Sequence, residues 1–175
     1  MGQGFAAYIQ RMELIAFFSG YALVYAFVHF IAGEHHKKCS VWQTRMIGFL
    51  PYAHALSGTL YVGLILKELS NNFSFDNLIK SFSSGWNLFA FISLLFWLPF
   101  FNRRKWVPLM HSLVFFYLLI KDIVLQLSYA DTNDMVNNDL RIYTASIFIN
   151  TASLLVIIIF YYSYKAIVNR ITAKV

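Results

Sequence analysis

Cysteine is all but missing: Cys39 stands alone in 175 residues, so no disulfide closes within the chain and no CxxC zinc or redox motif can form. Charge is scarce as well. Only 13% of the residues are charged and the mean hydropathy is +0.58, a balance foreign to a soluble domain of this size. No HExxH, GxSxG, phosphate-binding glycine loop or paired-carboxylate signature occurs, which leaves hydrolytic and nucleotide-driven chemistry without carriers. The apolar-polar alternation of an outer-membrane barrel is missing too. An enzyme acting on its own is therefore not expected.

Apolar side chains dominate instead: 59% of the chain is hydrophobic, with 18 Phe, 11 Tyr and 4 Trp. The fold class expected is an all-α integral membrane protein, a five-helix transmembrane bundle. Its apolar segments lie near 13–33, 47–69, 84–101, 107–128 and 142–164. Each approaches the roughly 20 residues that cross a bilayer core of about 30 Å, the third being the shortest. The connections are too short for a soluble domain, so residues 1–175 read as one transmembrane helical domain. No basic stretch precedes the first apolar run, which is too long for a signal-peptide core and reads as a retained span.

Lys and Arg near span ends stay on the cytoplasmic or matrix-like side. Lys37, Lys38 and Arg45 follow the first segment, Arg103, Arg104 and Lys105 follow the third, and Lys165, Arg170 and Lys174 follow the fifth. The opposite side receives Asp76, Asp131, Asp134 and Asp139. The alternation predicts an outside amino terminus and a cytoplasmic carboxyl terminus. The formal charge of +6 is then a topology signal, and nucleic acid is not an expected partner. Lipid and other membrane subunits are.

The segments repeat one another. ELIAFFS at 13–19 matches NLFAFIS at 87–93, and PYAHAL at 51–56 matches PLMHSL at 108–113. Further along, LILKEL and LLIKDI each place a Lys before an acid. Two parallel hairpins, 13–69 and 87–124, with a fifth helix added would put equivalent residues at equal depth. His54 and His111 would then share a level near the cytoplasmic side, with His29 close to it. Lys121, Asp122, Glu13 and Glu68 would form a second layer nearer the outer side, where Arg11 also lies.

Ionisable residues inside spans mark function or helix pairing. For the histidines the sharp expectation is a b-type haem or quinone site, with His54 and His111 as axial ligands of the haem iron and the basic 103–105 loop beside the propionates. The plain one is hydrogen bonding between helices. Glu34, His35 and His36 form a polar cluster at the membrane edge and read as solvated. For the outer layer the alternatives are a proton or ion path and an electroneutral pairing, for instance Lys121 with Glu13. Ser57, Gly58, Gly63, Asn150, Thr151 and Ser153 are expected where helices approach closely. Trp97 and Trp106 are expected as interfacial anchors.

The leading functional expectation is a non-catalytic anchor or accessory subunit of a larger membrane complex, for example an energy-transducing one. The alternatives are a haem- or quinone-binding electron-transport subunit and a small ion or solute transporter.

Overall fold

The computed structural model describes residues 11–33, 41–71, 74–75, 79, 85–104, 106–128 and 133–172. Lys37, Lys38, Cys39, the 34–36 cluster, Asp76, Lys105, Asp131 and Lys174 lie outside them. Among the described residues every regular element is helical. They are α1 (residues 11–18), α2 (Tyr21–Gly33), α3 (Val41–Asn71), α4 (Gly85–Phe91) with a 3₁₀ continuation (Ile92–Trp97), α5 (Pro99–Asn102), α6 (Trp106–Ser128) and α7 (Asn133–Thr172).

Among the described residues four stretches are long and apolar enough to cross a bilayer: Arg11–Phe30, Arg45–Ser70, Trp106–Leu125 and Arg141–Thr172. The expected third span is shorter. Gly85–Trp97 is an apolar helix whose second half tightens into 3₁₀ turns. At the rises of the two helix types it covers about 22 Å. Its end has a local cause: Leu98 precedes a proline, which disfavours helical backbone there, and it adopts φ −77°, ψ 132° before Pro99 opens α5.

Side-chain partners give the directions of packing. Along α3 and α6 the shared clusters run in the same order, Leu50 and Ala53 with Leu109 in one and Tyr61 with Phe115 in the other, and His54 meets His111 between them, so these helices are parallel. The third segment runs against α3: Asn87 meets Tyr61, and the Trp97 ring lies 6.1 Å from that of Tyr52. The first segment opposes α6, from Arg11 at Asp122 to Ala22 at Ser112.

Among the described residues two apolar clusters divide the interior. Leu14, Phe18, Tyr61, Ile65, Leu69, Ala90 and Phe115 make one; Tyr21, Val24, Val28, Phe49, Leu50, Ala53 and Leu154 make the other. Between them on α3 sit His54, Ser57 and Gly58, on one face by helical spacing. A Cβ at Gly58 would overlap the Ser93 side chain, so α3 and the 3₁₀ turns touch almost backbone to side chain there. Gly63 is exposed with nothing near its missing Cβ, and Thr151 is exposed, so neither takes the packing role expected of it.

The first span is broken. Its helix stops at Phe18 and restarts at Tyr21, and the groups freed at the break are met by side chains from two other helices. Ser112 donates to the Phe18 carbonyl (2.7 Å) and accepts from Ala22 N–H (3.1 Å). Ser146 accepts from Gly20 N–H (2.7 Å), and Asn150 donates to the Phe17 carbonyl (2.9 Å). Lipid offers no hydrogen bonds, so a broken span persists only with such partners. The length of α7 is equally unusual. Its 40 residues reach about 60 Å, roughly twice a bilayer core, and Tyr164, Ile167 and Ile171 in its last turns are exposed.

Candidate functional site

The two PxxH histidines meet at the centre of the bundle. His54 Nε2 lies 2.9 Å from His111 Nδ1, and His111 Nε2 lies 2.8 Å from the Phe89 carbonyl oxygen. Both rings are buried. The pair is walled by aromatic rings: Tyr21 touches His54 with centroids 4.4 Å apart, Phe89 stacks on His111 at 4.7 Å, and Phe18 and Phe96 face both. Beside this layer the Ser57 hydroxyl lies 3.1 Å from Ser153 Oγ and 3.3 Å from Asn150 Oδ1.

This geometry does not fit the haem alternative. Two imidazole nitrogens bridged by iron stand about 4 Å apart, since each bond is about 2 Å. A separation of 2.9 Å is a direct hydrogen bond, and Phe18, Phe89 and Phe96 fill the space a macrocycle needs. His29 does not join the layer. It is exposed and stacks on Tyr25 at 4.4 Å, two turns beyond Tyr21, about 12 Å along the helix. Among the described residues no three His, Cys, Asp or Glu side chains gather as a metal site requires.

The charged residues of the second layer also gather, with a pairing other than the expected one. Arg11 binds Asp122 through Nη2 and Oδ1, while Lys121 is exposed. Glu13 faces Glu68 within hydrogen-bonding reach of its carboxyl group, not Lys121. Adjacent residues on α6 point about 100° apart, so the face that gives Asp122 to Arg11 turns Lys121 outward. The Arg11 side chain is 39% exposed, so its bond to Asp122 is screened. A double-mutant cycle of Arg11→Gln and Asp122→Asn is expected to return a coupling of about 1 kcal/mol. Lys121→Ala should leave unfolding in detergent unchanged. A large loss from Lys121→Ala, or no coupling between Arg11 and Asp122, would contradict the pairing.

Sequence reasoning did not single out Tyr21, Ser112, Ser146 or the Phe89 carbonyl. The Ser19–Gly20 dipeptide inside an apolar run was the available signal for the first of these, since it is where a span breaks. No family model matches the chain, and no curated protein and no solved structure matches it either.

Proposed function

We propose that the protein is a small-solute carrier, with the layer of Tyr21, His54 and His111 as its waypoint. One observation supports this above others: the interruptions come as a pair. The first and third segments hold corresponding positions in the hairpins 13–69 and 87–124; one breaks at Ser19–Gly20, and the other passes into 3₁₀ turns at Ile92 and ends before Pro99. Carriers built from repeats use discontinuous segments in corresponding positions to bring irregular backbone to a site near the midplane. Here residues beside both interruptions, Tyr21 and Phe96, touch His54. Five crossings are the reading that parallel α3 and α6 favour, because the segment between them must return across the bundle.

Purified protein in sealed liposomes is expected to speed the entry of small polar solutes, followed by stopped-flow light scattering. His54→Ala should remove about nine-tenths of that gain, the effect of one lost hydrogen bond at the waypoint. Phe148→Ala, at an outward position 73% exposed, should leave it unchanged. Entry no faster than into protein-free vesicles would overturn the reading. The orientation proposed is amino terminus outside and carboxyl terminus cytoplasmic. Side-specific reporters at the carboxyl terminus and in the loop near Asp134 should give opposite signals, and matching signals would refute it.

The accessory-subunit reading draws support from α7, whose exposed last turns offer Tyr164, Ile167 and Ile171 to another membrane protein. It calls for stoichiometric co-purification in mild detergent and for inert behaviour of the isolated chain.

A further inference from the structure

Hydrogen-bond direction runs one way through the histidine pair. The Phe89 carbonyl can only accept, so His111 presents Nε2–H to it. A neutral imidazole protonated at Nε2 has a bare Nδ1, and that nitrogen accepts from His54 Nε2–H. His54 is then left with its own bare Nδ1, buried and without a hydrogen-bond partner. The Tyr21 hydroxyl, on the ring packed against His54, is buried and without a partner as well. Folded interiors leave few such atoms unpaired. Here a lone acceptor and a hydroxyl able to donate sit on rings in contact.

The break in the first span holds this arrangement. Tyr21 is the first residue of α2, and the amides on either side of it, Gly20 and Ala22, are fixed by Ser146 and Ser112. The relay from His54 to His111 to Phe89 polarises each ring in turn and strengthens Nδ1 of His54 as an acceptor.

We propose that Tyr21 Oη and His54 Nδ1 form a recognition site for a small neutral molecule whose polar group donates and accepts at once, an alcohol or un-ionised amine. Its O–H or N–H donates to Nδ1, and its lone pair accepts from the Tyr21 hydroxyl. A carboxylate has no proton for Nδ1. An alkylammonium ion has no lone pair for Tyr21, and the rings against His54 belong to Phe18, Tyr21, Phe96 and His111, none of which carries a negative charge. The inference deepens the carrier reading and rests on it for its purpose.

The test uses the full chain in detergent with ¹⁵N-labelled histidine, the His54 nitrogens assigned by comparison with His54→Gln. Methanol, or methylamine at alkaline pH, is expected to move the bare Nδ1 signal saturably. Acetone, which only accepts, and tetramethylammonium should not move it. Tyr21→Phe should weaken the apparent affinity about fivefold while the spectrum of the folded protein is kept. A signal that is already that of a hydrogen-bonded nitrogen and ignores every probe would mean a fixed water only and overturn the site. So would an affinity indifferent to Tyr21→Phe. Saturable binding with no solute entry into liposomes supports the site and sinks the carrier reading; entry without any response at His54 does the reverse.

Discussion

His111→Leu is expected to destabilise the bundle by about 4 kcal/mol in a detergent unfolding titration. The change strands two groups at once, the buried His54 Nε2–H and the partly buried Phe89 carbonyl. Each orphan costs about 1–3 kcal/mol, and the ring that stacked on Phe89 at 4.7 Å is lost as well. The partner substitution separates these terms. His54→Phe removes the stranded N–H, so the double variant should cost less than the two single changes added together. A loss below about 1 kcal/mol, or strict additivity, would mean that the histidines do not support each other.

Glycine substitutions at two positions should give opposite signs. A Cβ on Gly20 would lie 2.5 Å from the Ser146 carbonyl carbon and 2.7 Å from the Ile147 nitrogen. Those atoms are helix backbone and cannot turn aside. Gly20→Val is therefore expected to push the first span off α7, to break the Gly20–Ser146 hydrogen bond and to cost at least about 3 kcal/mol. At Gly63 nothing lies within 4 Å of the added carbon. Gly63→Ala should stabilise α3 by about 0.5–1 kcal/mol through the smaller entropy of the unfolded chain. Thermal unfolding of both variants in one detergent reads the contrast. A tolerated valine at position 20 would contradict the close approach of the first span to α7.

The helical membrane fold was legible because burial in lipid writes itself as long apolar runs. The histidine pair was legible in part. Matching PxxH landmarks placed His54 and His111 at one depth, but they could not give the partner of the second ring, since the Phe89 carbonyl belongs to the backbone and leaves no trace in residue type. The Leu98–Pro99 stop was written in the third segment, yet it was hidden by hydropathy that reads across it. The charges illustrate a different limit. Lys121 and Asp122 are neighbours in sequence, and a rotation of about 100° about the helix axis decides which faces the bundle. Only packing sets that rotation, so the sequence offered Lys121 with Glu13 where the structure has Asp122 with Arg11. Gly63 and Thr151 show the same limit, for a small residue does not say which face of its helix carries it.

The break in the first span has a consequence for synthesis. Ser146 follows Gly20 by 126 positions, which at about 5–20 residues per second is a delay of roughly 6–25 s. An unpaired backbone group in hydrocarbon costs several kcal/mol, so during that interval the nascent segment stays an uninterrupted helix with its amides bonded one turn back. Ser112 arrives first and can take the Phe18 carbonyl, but Gly20 N–H has no acceptor to exchange for until Ser146 enters. The opening of the first helix is thus deferred to the insertion of the last.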